Sequence, residues 1–104
     1  VHVCDLADAH LRGATWLQDG GLTEAFNLGS GTGASIAELA DAVERFSGKP
    51  VKRVIGPPRE GDPPSLVASN EKARRLLGWQ PQRSDIDTII RDAWAWAELE
   101  RARA

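Results

Sequence analysis

Tyrosine is absent from these 104 residues, methionine is absent too, and cysteine occurs once. Without tyrosine, no phenol can serve as an acid or base. The lone Cys4 excludes a disulfide within the chain and favours a reducing, cytoplasmic setting. No apolar run approaches the roughly 18 residues needed to cross a bilayer, so no membrane partner is expected. No basic-then-apolar leader opens the sequence. A surplus of positive charge is also missing: 13 basic residues face 15 acidic ones, for a formal net charge of -2. The only basic stripe, Lys72, Arg74 and Arg75 beside Glu71, reads as a solvated helix face. Binding to nucleic acid or an anionic surface needs clustered positive charge, so neither is expected.

What is present suits a folded unit. The chain is 41% hydrophobic, enough to exclude a wholly disordered tail, and its length is one domain's worth or less. It opens on Val1, directly into a strand-like Val-His-Val, as expected of a piece cut from something longer.

The periodicity alternates. Residues 1–4 read as the end of a strand. Asp5 is then expected to cap a helix, with Leu6, Ala9, Gly13, Ala14 and Leu17 on one face. Gly20-Gly21 ends it. Residues 24–28 form a second strand candidate, followed by the Gly-rich turn Gly29-Ser30-Gly31-Thr32-Gly33. Ser35 and Glu38 make a capping-box pair. The helix behind them carries Ile36, Leu39, Ala40, Val43 and Phe46, and Gly48 and Pro50 stop it. Residues 51–55 alternate as a third strand candidate until Gly56-Pro57-Pro58. Asn70 caps a short helix with Ala73, Leu76 and Leu77, closed by Gly78, and Trp79 packs over its end. Ser84 and Asp87 begin a last helix bearing Ile86, Ile89, Ile90, Ala93 and Ala97, and its charged tail, residues 98–104, is expected to fray. The fold class is therefore α/β, helix-rich, with two or three short strands and about four helices in a single region, 1–104. Strands so short and few make no independent sheet. Helix faces left without a partner layer favour self-association.

Several motifs invite chemistry. Gly29, Gly31 and Ala34 match a G-x-G-x-x-A spacing between strand and helix, but no acidic residue ends the next strand, and a full doubly wound sheet does not fit in this length. A tight turn is the simpler reading. Ser30 lacks the glycine two residues before it that a nucleophile elbow needs, because Leu28 stands there. Ser69 and Lys72 make a Ser-x-x-Lys pair that a helix start explains. His2, Cys4, Asp5 and His10 could be written as a metal set, yet no second tight pair completes it, so packing and no metal is the reading.

The run Arg59-Glu60-Gly61-Asp62-Pro63-Pro64 carries more. An arginine fork grips phosphate bidentately, and an aspartate accepts hydrogen bonds from sugar hydroxyls. Prolines hold such a loop stiff before binding. The plain alternative is a surface loop whose Arg59 and Asp62 pair with each other.

Four motifs in order resemble the C-terminal third of the UDP-glucose 4-epimerase family, extended short-chain dehydrogenases/reductases that act on UDP-sugars. They are Val1 to His10 (VHVCDLADAH), Phe26 to Ser35 (FNLGSGTGAS), Arg59 to Pro64 (REGDPP) and Leu77 to Trp79 (LGW). The resemblance implies that Arg59 holds the UDP diphosphate and Asp62 the uridine ribose. It implies that Leu66 lines the sugar end of the pocket, where bulk influences acceptance of N-acetylated sugars. It implies NAD as cofactor of the full-length enzyme, held by an N-terminal NAD-binding domain that this chain lacks, as it lacks the family's Tyr-x-x-x-Lys. The expectation is a UDP-sugar-binding region, catalytically inactive alone and binding no NAD alone. The alternatives are the C-terminal region of a UDP-glucuronate decarboxylase or UDP-N-acetylglucosamine 4-epimerase, or a non-enzymatic interaction module.

Overall fold

The fold of the chain was obtained as a computed structural model that describes residues 1–63 and 65–103. Pro64, which closes the REGDPP run, and Ala104, which closes the charged tail, lie outside the described residues. Among those residues there are four helices: α1 (Val3–Gln18), α2 (Ile36–Ser47), α3 (Glu71–Leu77) and α4 (Ile86–Arg103).

The capping chemistry accounts for most of the boundaries. Helix α2 starts as its capping box dictates, with the Ser35 hydroxyl accepting from the Glu38 N–H at 3.0 Å. It stops at Gly48, whose φ of 69° is the left-handed turn that glycine adopts without a Cβ penalty. Gly78 closes α3 in the same way, with a φ of 65°.

The other starts differ from the sequence expectation. Residues 1–4 do not form a strand: α1 begins at Val3, and His2 is its cap, its Nδ1 accepting from the Cys4 N–H at 3.0 Å. Asp5, expected as the cap, lies within the first turn of the helix and is buried. Asn70 stands at the cap position of α3, but its side chain makes no capping bond and donates instead to the Gly29 carbonyl at 2.8 Å. Helix α4 is capped by Asp85, which accepts from the Thr88 N–H at 2.9 Å, rather than by Ser84. Residues 98–103 of the charged tail continue α4 to Arg103.

No strand is present among the described residues, so residues 24–28 and 51–55 are irregular segments. A strand exists only through a ladder with a neighbour, and these segments have none in the described chain. The helix-rich part of the expectation stands; the described residues supply no strand in support of the two or three short ones.

Helix α1 packs on α3, and α2 on α4. The buried apolar set is small: Ala9, Ala42, Ala73 and Trp79. Trp79 is completely buried against Ala9 and Ala73, with Phe26, Leu28 and Leu77 around it, and its indole N–H donates to the Asp5 carbonyl at 2.8 Å. The result is a slab of 50 × 40 × 21 Å with a radius of gyration of 17.1 Å. A compact chain of this length has a radius near ~13 Å. Many large apolar side chains lie on its surface, among them Val3, Leu11, Ile36, Val54 and Ile55.

Candidate functional site

The run after Gly56-Pro57-Pro58 folds back on itself. The Asp62 N–H donates to the Arg59 carbonyl at 3.3 Å, closing a four-residue turn. Its third residue, Gly61, has a φ of 84°, a conformation that strains any residue with a Cβ. The turn brings Arg59 Nε within 2.8 Å of Asp62 Oδ2. The two residues expected to hold phosphate and ribose are thus adjacent, and in this structure each holds the other. The Arg59 side chain is 86% exposed, so the pair is open to exchange with a ligand.

Leu66 sits elsewhere, on the wall of an open cleft of about 430 Å³. The Gly-rich turn, Leu39 and the start of α4 at Ile86 and Ile89 also contribute to that wall. Leu66 is 87% exposed, and neither Arg59 nor Asp62 lines the cleft. Leu66 is therefore not gathered with the other two candidates.

The glycines of the Gly-rich turn serve close backbone packing. A Cβ on Gly29 would run into the carbonyl of Ala68, and one on Gly33 into the Val67 side chain. These glycines let residues 67–68 approach closely. Ser30 is spent on the turn, donating to the Thr32 carbonyl at 2.7 Å. Ser69 and Lys72 do not act together: Ser69 accepts from the Glu71 N–H, while Lys72 reaches Glu24 and the Ala25 carbonyl. No metal-holding group of His, Cys, Asp and Glu is present among the described residues. His2 and Asp5 have structural partners, and His10 bonds the Leu6 carbonyl at 2.7 Å.

Sequence reasoning missed the polar junction that organises the slab. The buried Asp5 carboxylate accepts from the Gln82 N–H at 3.0 Å, the Arg83 N–H at 2.9 Å and the Ser84 hydroxyl at 2.5 Å. Burial pushes this carboxyl up, but the Ser84, Arg83 and Gln82 donors together outweigh it and hold it below its ordinary value. Ser84 in turn accepts from the His2 N–H at 3.0 Å, and the His2 ring lies 2.7 Å from Asp92. The His2 bond is the main cause of the lowered Asp92 carboxyl. The partners are about 80 residues apart in the chain, and no local pattern announces such a junction.

No protein-family profile matches the chain. It is 48% identical over 98 residues to the UDP-glucose 4-epimerase of Lacticaseibacillus casei, covering 94% of the chain and 30% of that relative. Against the UDP-glucose 4-epimerase of Rhizobium meliloti it is also 48% identical, over 96 residues, covering 92% and 29%. The chain thus spans about 30% of the length of the curated relatives it matches. Among solved structures, UDP-glucose 4-epimerase from Brucella ovis in complex with NAD superposes with a TM-score of 0.83 at 42% identity, over 88% of this chain and 28% of that one. UDP-glucose-4-epimerase from Stenotrophomonas maltophila, with bound NAD and formylated UDP-arabinopyranose, superposes over the whole chain and 31% of its own, with a TM-score of 0.89 at 36% identity. By sequence and by fold, the chain belongs to the UDP-glucose 4-epimerase family, as a stretch matching about 30% of a member's length.

Proposed function

We propose that the chain is the UDP-sugar-binding, C-terminal region of an enzyme that interconverts UDP-glucose and UDP-galactose. The observation that carries this reading is the Arg59–Asp62 turn, an exposed cation and carboxylate set 2.8 Å apart on a proline-flanked loop. In it, Arg59 grips the diphosphate, Asp62 accepts from the ribose hydroxyls, and Leu66 borders the sugar. A charge-assisted arginine–phosphate contact contributes roughly 1.5–3 kcal/mol, so one arginine does not hold a nucleotide alone. The remaining contacts come from the rest of an epimerase-length polypeptide. That part also holds NAD, which supplies hydride transfer at the sugar. With no tyrosine to act as acid or base, the chain by itself turns over no substrate.

The test has two parts. The full polypeptide that carries the chain, supplied with NAD, interconverts UDP-glucose and UDP-galactose; absence of that conversion removes the proposal. In the same polypeptide, Arg59→Ala weakens UDP binding about tenfold or more, and equal binding by variant and parent would remove the phosphate role.

A second reading concerns the sugar. The UDP-Glc/GlcNAc 4-epimerase of Campylobacter jejuni superposes with a TM-score of 0.84 at 34% identity. Leu66 is intermediate in bulk and does not by itself decide between the two sugars. Product analysis with UDP-N-acetylglucosamine separates this reading from the first, and a carboxylated UDP-sugar as substrate separates both from a decarboxylase.

A further inference from the structure

We propose that the Arg59–Asp62 ion pair is a selectivity device. It screens the loop against bare phosphate anions and admits ribonucleoside diphosphates. The inference rests on the reading of this loop as the UDP-sugar site, and deepens it.

The argument starts from the geometry of the turn. The Asp62 N–H to Arg59 carbonyl bond and the left-handed Gly61 place the two side chains on the same side of the loop. Arg59 Nε then donates to Asp62 Oδ2 at 2.8 Å. Both residues expected to touch ligand are therefore already satisfied by each other, and a ligand must exchange for that bond. Inorganic diphosphate can replace the carboxylate at Arg59. It has no hydroxyl donor for Asp62, however, and it leaves two negative groups facing each other across a short turn. A ribonucleoside diphosphate satisfies both: its phosphates take the guanidinium, and its ribose hydroxyls donate to the freed carboxylate. Asp62 thus repels the wrong anion and rewards the right one, which is how specificity is built from a repulsive and an attractive element together. The pair is exposed, with 86% of the Arg59 side chain and 48% of that of Asp62 accessible, so the barrier to exchange is small. The expected effects are correspondingly modest, about two- to fivefold.

Glu60 provides the control. It carries the same charge on the same turn and is exposed, and its side chain is not the partner of Arg59. The experiment measures dissociation constants for inorganic pyrophosphate and for UDP on the full polypeptide carrying this chain, as parent, Asp62→Ala, Glu60→Ala and Arg59→Ala. Asp62→Ala is expected to bind pyrophosphate about two- to fivefold tighter than the parent and UDP more weakly, opposite signs from one substitution. Glu60→Ala shifts pyrophosphate by less and leaves UDP near the parent value. Arg59→Ala weakens both. If Asp62→Ala and Glu60→Ala tighten pyrophosphate equally, the effect is loop charge alone and the ion-pair device is overturned. It is also overturned if Asp62→Ala weakens both ligands or leaves pyrophosphate unmoved. In either case a loss of UDP binding on Arg59→Ala leaves the site reading standing. If Arg59→Ala binds UDP like the parent, the site reading itself falls, and the selectivity proposal falls with it.

Discussion

Asp5 gathers four long-range hydrogen bonds at one residue. Three donors from residues 82–84 converge on its carboxylate, and Trp79 donates to its carbonyl. Because the folded carboxyl lies below its ordinary value, the unfolded chain binds the proton more readily. The stabilisation is therefore complete above the unfolded value, near ~3.9, and is lost as pH falls through the lower folded one. Denaturant unfolding at a series of pH values should show stability dropping on acidification below about pH 4. Asp5→Asn should flatten that drop and cost roughly 1–3 kcal/mol at neutral pH by leaving a buried donor unmatched. Gly29 is also buried, and a methyl group there meets the Ala68 carbonyl. Gly29→Ala should destabilise by about 1–3 kcal/mol in the same unfolding assay, whereas exposed Gly56, with open space around it, should tolerate alanine.

At the scale of the element, legibility followed locality. The start and end of α2 were readable because the Ser35–Glu38 box and Gly48 act within a few residues. The end of α3 at Gly78 was readable for the same reason. The start of α4 was not. Ser84 looks like a cap, but it is drawn to Asp5 at 2.5 Å, and Asp85 caps instead. The two serve different structures, and substitution separates them. Asp85→Ala should lower helix content and cost about 1 kcal/mol, as a lost cap does. Ser84→Ala should leave the helix intact by circular dichroism, yet raise the folded carboxyl value of Asp5 and so weaken its acid dependence. Equal loss of helix content in both variants would contradict this division. The misread start of α1 has the same origin, since His2 can cap only with its ring held between Cys4 and Asp92, 90 residues away. Residues 24–28 and 51–55 carry strand-like patterns without strands, because a pattern does not supply a neighbour.

At the scale of the whole molecule, the chain is too thin for its own apolar content. Apart from Trp79, the buried apolar residues are alanines. Leu11, Leu22, Ile36, Val54 and Ile55 stand largely in solvent. Such surface drives association unless something covers it. The purified chain should accordingly form concentration-dependent oligomers in sedimentation velocity. Coexpression with the remainder of an epimerase-length polypeptide should shift it into a single complex. A chain that stays monomeric across the concentration range, with a radius of gyration near 17.1 Å by small-angle scattering, would contradict that expectation.

The order of helices, two of their four ends by glycine, the α2 capping box and the resemblance to a UDP-sugar epimerase were all readable from residues alone. Each depends on neighbours within a turn or on an uninterrupted motif. Two matters required the folded chain. Leu66 lies on a cleft wall that Arg59 and Asp62 do not share, and Asp5 with Ser84, His2 and Asp92 locks the ends of the chain together. The reason is common to both. A side chain's partner is set by where the backbone returns in space. That return is settled by burial and hydrogen bonding across the whole chain, which no short window of sequence contains.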